Sequence, residues 1–119
     1  MINQEAKSLI ENNPVALATT NGREPNVCAV ADVRVIEGKI LIGDNYLKTS
    51  IENLKRNNNV SLVVWSKNWE ESCFGYKVLG KAEYITEGMW LEKAKEIHKG
   101  FSTKGAVLVT VQDIKRIGD

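Results

Sequence analysis

The chain has 119 residues, with 16 Lys and Arg against 15 Asp and Glu, a formal net charge of +1 and 43% hydrophobic residues. Such a length and balance suit one soluble domain spanning 1–119 that buries about two-thirds of its unfolded surface. They exclude the strongly basic face that would displace counterions from phosphates, so no nucleic-acid partner is expected.

No apolar run reaches the ~20 residues of a membrane span. Residues Met1 to Lys7 lack the basic-then-apolar pattern of a signal peptide. A cytoplasmic protein with no membrane partner is therefore expected. Cys28 and Cys73 are too few for a disulfide scaffold or a four-thiolate site and are expected to be free thiols. The single histidine, His98, falls near the end of a predicted helix, where it would complement the helix dipole or face solvent. No metal site is expected.

In chain order, Asn3 to Asn12 predicts a helix with Ala6, Leu9 and Ile10 on one side. Asn12-Asn13-Pro14 ends it, because a residue before proline is pushed out of the helical region. Val15 to Thr20 predicts a strand, and Asn21-Gly22 is the strongest two-residue hairpin signal of the sequence. A long strand follows from Val27 to Ile36, then a turn at Glu37-Gly38 and a third strand from Lys39 to Gly43, making an antiparallel meander. A helix from about Leu47 to Arg56 ends at the breaker Asn57-Asn58-Asn59. Val60 to Trp65 and Phe74 to Ile85 are the fourth and fifth strands, the latter with Tyr76, Val78, Gly80, Ala82 and Tyr84 on one face. Thr86 caps a further helix carrying Met89, Trp90, Ala94 and Ile97, closed by Lys99-Gly100. Ala106 to Val111 is the sixth strand, and the polar tail from Asp113 to Asp119 offers no signal of its own. Six short strands, hairpin turns and interposed helices predict a mainly β fold with short helices, a closed or nearly closed antiparallel barrel.

The twelve residues Gly43 to Leu54 hold the chemistry. Leu47, Ile51 and Leu54 lie at i, i+4 and i+7, so one helix face packs inward. Thr49 with Glu52 three residues on reads as a capping box. Unpaired N–H groups at the helix start, together with Lys48, Thr49 and Ser50, would cradle a phosphate. A capped amphipathic helix beside an uninvolved lysine satisfies the same residues. In the second strand, alternation puts Ala29 and Ala31 on one face and Cys28, Val30 and Asp32 on the other. Small side chains there would let a flat ring approach the main chain, or would simply fit a tapering barrel. Asp44 and Asn45 would bond a polyol chain, or serve as ordinary turn residues. Ring strand, polar turn and anion-binding helix start follow the order of ring, ribityl and phosphate in FMN.

The run Gly43-Asp44-Asn45-Tyr46-Leu47-Lys48-Thr49-Ser50-Ile51-Glu52-Asn53-Leu54, followed by Asn59-Val60-Ser61-Leu62, resembles the pyridoxamine-phosphate-oxidase-like, FMN-binding split-barrel family. The segments Asn13 to Thr20 and Tyr76 to Tyr84 match the same pattern, and the likeness is greatest to the small bacterial and archaeal members. The resemblance implies a six-stranded Greek-key split barrel and a two-fold homodimer with two FMN molecules at its interface. By position it implies that Lys48 and Thr49 hold the phosphate, with Ser50 a lesser candidate. Ala29, Val30 and Ala31 would contact the isoalloxazine through the main chain, and Asp44 and Asn45 would lie near ribityl and ring. Phe101, Trp65 and Trp69 are candidates for contacts from the second subunit on aromatic character. Three Trp, three Tyr and two Phe in a short chain also favour an interface over a small barrel interior.

The true pyridoxamine phosphate oxidases are longer and carry a C-terminal substrate region without a counterpart here, so vitamin oxidation is not expected. The leading expectation is a flavoprotein passing electrons or hydride between an unidentified donor and acceptor. Alternatives are an FMN-dependent reductase or oxidase with a small substrate, and a split barrel binding deazaflavin, haem or no ligand. No catalytic residue is assigned.

Overall fold

The computed structural model describes residues 1–118. The first helix, α1 (Gln4–Asn12), starts where expected, because Asn3 caps it by accepting the Ala6 N–H at 2.8 Å. Ala6 and Ile10 are its buried residues. Strands β1 (Val15–Thr20) and β2 (Pro25–Val30) form a hairpin with Thr20 opposite Pro25. Its loop is four residues long rather than two, since the Asn21 side chain accepts both the Arg23 and Glu24 N–H groups and bends the chain itself.

The run read as one strand from Val27 to Ile36 is two, β2 and β3 (Arg34–Ile36). Asp32 breaks it by adopting a left-handed conformation at φ 53°, which Asp tolerates better than most residues. The tight primed turn falls instead at Glu37-Gly38, both with positive φ, joining β3 to β4 (Lys39–Asp44). Then come α2 (Lys48–Leu54), β5 (Asn59–Trp65), β6 (Phe74–Ile85), α3 (Met89–Ile97) and β7 (Gly105–Gly118). The polar tail is thus mostly strand: Asp113 to Gly118 pair with Phe74 to Leu79, beyond a bulge at Leu79/Gly80. Asp119 lies outside the described residues.

Among the described residues there are seven strands, not six, in one antiparallel sheet of order β2-β1-β5-β6-β7-β4-β3. The meander is corrected accordingly, because β2 and β3 lie at opposite edges. Three residues separate Val30 from Arg34, so across four Cα steps these edges can stand no more than ~14 Å apart there. A flat sheet of seven strands would part them by roughly 29 Å. The sheet therefore curls until its edges nearly meet, a barrel left open at Ala31–Val33.

Burial follows the alternation. Ile40, Ile42, Val107 and Val109 point into the barrel with Leu17, Leu62, Val64 and Val78. Leu41, Ala106 and Leu108 point outward, under Ala94, Trp90 and Ile97 of α3. Strands β4 and β7 are covered on both faces for that reason. Helix α1 packs against β3, β5 and β6, and α2 against β1, β2 and β6. The third helix begins at Met89 after Gly88, with no side-chain cap, so Thr86 does not cap it, and Met89 is exposed.

Candidate functional site

Helix α2 is positioned by the turn before it. Asp44 is buried, and its Oδ1 accepts the Leu47 N–H at 2.8 Å. The helix starts at Lys48 with no side-chain cap from Leu47, so the Thr49–Glu52 capping box does not form and Asp44 anchors the entry instead. The other Asp44 oxygen accepts the Tyr84 hydroxyl at 2.6 Å. Burial, and then the adjacent Asp44 carboxylate, push the Tyr84 phenol up to about 12. A phenol raised above its unfolded value stabilises the fold fully below the ordinary tyrosine pKa, and that contribution is lost as pH climbs from about 10 through about 12. Ultraviolet titration should show one of the three tyrosines ionising near 12, and Tyr84→Phe should abolish that step.

Asn45 is also engaged: its Oδ1 accepts the Thr103 hydroxyl at 2.6 Å, and its Nδ2 lies 3.3 Å from His98 Nδ1. Ser50 is buried, 3.3 Å from both Asn26 Nδ2 and Cys28 Sγ. These contacts hold α2 against the inner face of β2. The start of the helix is thereby set beside the strand carrying Ala29, Val30 and Ala31. Val30 is buried, whereas Ala29 and Ala31 are exposed on the outer face. Lys48 and Thr49 are exposed, and Lys48 makes no ion pair among the described residues.

The structure thus divides the sequence-predicted residues into two kinds. Ala29, Ala31, Lys48 and Thr49 offer surface, a cation and a hydroxyl to a ligand. Asp44, Asn45 and Ser50 have their side chains turned to protein partners and leave the main chain of the turn as what they present. Tyr84, His98 and Thr103 were missed as parts of this region. Tyr84 was legible as an inward-facing strand residue. Nothing in the sequence links His98 or Thr103 to Asn45, because the three meet only through the packing of α3 on β4. His98 neither faces solvent nor sits idle at a helix end; it is buried.

The outer face of β1, β2, β5 and β6 is apolar over much of its extent. Register aligns Ala16 with Ala29 and Val63, and Trp65 with Gly75. Val27, Trp65, Trp69, Leu79 and Ile117 are exposed large apolar side chains. A depression of about 550 Å³ is lined by Val63, Trp65, Trp69, Phe74 and Ile117, among others. Among the described residues no cluster of three or more His, Cys, Asp or Glu is placed to hold a metal, and no helix is long and apolar enough to cross a membrane.

The family model described as pyridoxamine 5'-phosphate oxidase matches residues 2–117. The chain belongs to that family. It is 31% identical over 121 residues to uncharacterized protein MJ0282 of Methanocaldococcus jannaschii, covering 95% of this chain and 78% of that one. It superposes on HupZ of Group A Streptococcus with a TM-score of 0.89 at 26% identity, over 98% of this chain and 94% of HupZ. An FMN-binding protein from Syntrophomonas wolfei shares the fold with a TM-score of 0.85 at 19% identity, over 98% of this chain and 86% of that chain.

Within this pyridoxamine 5'-phosphate oxidase family member, the donor set suits a flavin mononucleotide at its two ends. Lys48 and Thr49 would supply charge and a hydroxyl for a phosphate. The Cβ-only side chains of Ala29 and Ala31 leave the main chain open to a flat ring. The ribityl chain would find main-chain groups rather than the carboxylate of Asp44, whose oxygens are both taken.

Proposed function

We propose that the protein is a small FMN-binding flavoprotein that passes electrons or hydride between a reduced donor and an acceptor, as a two-fold homodimer with its flavins at the subunit interface. The observation that carries this reading is an exposed Lys48, without an ion pair among the described residues, and an exposed Thr49 beside β2, held there by the Ser50–Cys28 contact. Membership of the pyridoxamine 5'-phosphate oxidase family and the shared fold of the FMN-binding protein from Syntrophomonas wolfei support it.

Lys48 and Thr49 hold the phosphate in this reading, and Ser50 acts from behind by fixing the helix. Ala29, Val30 and Ala31 present main-chain N–H and C=O groups to the ring edge. Asp44 and Asn45 keep the turn in shape so that its main chain faces the ribityl chain. The flavin supplies the redox chemistry, and the protein binds, orients and screens it from water. The exposed apolar face with Trp65, Leu79 and Ile117 is the surface that a second copy covers.

The purified protein should be yellow or take up FMN stoichiometrically, with FMN as the chromophore released on denaturation. It should sediment as a dimer at micromolar concentration. A deazaflavin or haem chromophore, or a monomer that still binds FMN, would overturn the cofactor and the interface parts respectively. Steady turnover with a nicotinamide donor would mark an enzyme, whereas reduction only by a partner protein would mark a carrier.

A further inference from the structure

The registers lay the outer face of the sheet out in rows. One row runs Ala29, Ala16, Val63, Lys77 and Lys115 across β2, β1, β5, β6 and β7. The next row to one side holds Trp65, Gly75 and Ile117, and the next to the other holds Ser61, Leu79 and Asp113. Two exposed lysines therefore stand directly opposite each other among the exposed side chains of Trp65, Leu79 and Ile117. Like charges placed so destabilise a ladder. Among the described residues neither lysine makes an ion pair. Asp113 lies two residues along β7 from Lys115 and is paired with neither, and Glu70 and Glu71 sit on the loop between β5 and β6.

The depression of about 550 Å³ opens beside this pair. Val63, opposite Lys77, and Ile117, two residues from Lys115, both line it. Its walls are held in place. The Ser66 N–H donates to the Phe74 carbonyl at 2.9 Å, and the Ser66 hydroxyl to the Ser72 carbonyl at 2.5 Å, which pins the loop carrying Trp69. Gly75 and Gly118 belong to the lining, and a Cβ on either would run into neighbouring main chain. Lys67 is the charged residue of the lining, and no acid lines the depression. A volume of this size with apolar walls and few polar groups suits a small molecule.

We infer that this depression binds a flat aromatic anion, with its ring against Trp65 and Ile117 and its carboxylate between Lys77 and Lys115. Charge complementarity selects the occupant. A neutral apolar ligand would fill the walls and leave the two cations opposed, whereas an inorganic anion would meet the cations and leave the walls wet. A second copy laid over Trp65, Leu79 and Ile117 would bury the lysines too, where charges without partners cost still more. The anion supplies the missing counter-charge in that setting as well. The site adds to the flavin reading without resting on it. It opens at Val63, two strands from Ala29 and about 10 Å along the face.

The test is an NMR titration of the full-length protein, free of flavin, with naphthoate and with its neutral analogue naphthamide. Naphthoate should move the Trp65 indole signal together with the amides of Val63, Gly75, Lys77 and Lys115. It should bind at least about tenfold more tightly than naphthamide, and added salt should narrow that gap. Lys77→Gln and Lys115→Gln should each lose about tenfold for naphthoate and nothing for naphthamide. Without ligand, the same variants should melt about 1–3 °C above wild type, because each removes a repulsion. A lysine kept only for the fold would lower the melting point when replaced. Equal affinity for the two probes, or shifts that avoid Trp65 and the lysines, would overturn the inference. So would a lower melting point on loss of either lysine, which would give the pair to acids of a second copy. Both substitutions change exposed side chains, so the variants should fold.

Discussion

Replacing Lys48 with Ala should weaken FMN while leaving riboflavin affinity nearly unchanged. A charge-assisted bond to phosphate is worth about 1.5–3 kcal/mol net, and exposure to salt screening places this one at the lower end, roughly a tenfold loss. The loss should shrink as ionic strength rises, since Lys48 is exposed. Lys48→Arg should recover part of it, keeping charge with a different fork geometry. Parallel titrations with FMN and riboflavin check the assignment, and equal losses for the two ligands would refute it. The fold should be unaffected, because Lys48 has no ion-pair partner to lose among the described residues.

Asp44→Ala should act in the opposite way, on stability first and binding second. The carboxylate is 1% exposed and receives two donors, the Leu47 N–H and the Tyr84 hydroxyl. Deleting it leaves both without an acceptor, at about 1–3 kcal/mol each, offset in part by no longer burying a carboxylate. A net loss of about 3 kcal/mol corresponds to a melting point lowered by roughly 10 °C in a domain of this size. Asp44→Asn should lose less, since it keeps an acceptor for Leu47. Thermal unfolding of the three proteins measures the difference; a melting point within about 3 °C of wild type for Asp44→Ala would show that the turn does not depend on the carboxylate. Flavin affinity should fall in the folded fraction as well, because Asp44 sets where α2 begins.

How far such a site could be read beforehand depended on whether its parts are local. The entry to α2 follows from Leu47, Ile51 and Leu54, and all three are buried as their spacing required. The alternation of β2 set Ala29 and Ala31 on the face opposite Cys28 and Val30, and the structure makes that face the exposed one. What failed was where an apolar run carries no punctuation. Ala31-Asp32-Val33 contains neither Gly nor Pro, yet Asp32 turns the chain there because the sheet's two edges must be joined. The tail failed for the reverse reason. Asp113, Lys115 and Arg116 carry no strand signal of their own, and they are strand because β6 is long enough to hold them in register. The capping box was a local pattern overridden by a longer-range one: Asp44, tied to Tyr84, takes the Leu47 N–H and sets the first turn. His98 was beyond reach, since Gly43 and Asn45, which it meets, lie far from it in the chain.

The pairing of β4 with β7 sets Ile40 opposite Val109 and Asp44 opposite Gly105. Every other ladder except that of β6 with β7 can be laid down while the chain is still being made, but β4 must wait with one edge unpaired and its outer face uncovered until α3 and β7 exist. Contacts so distant in sequence slow folding, and waiting apolar strands invite association. The newborn chain is therefore most vulnerable to aggregation just before its last ladder zips, and a chaperone that shields Ile40-Leu41-Ile42 at that moment should raise yield more than any change to the finished surface.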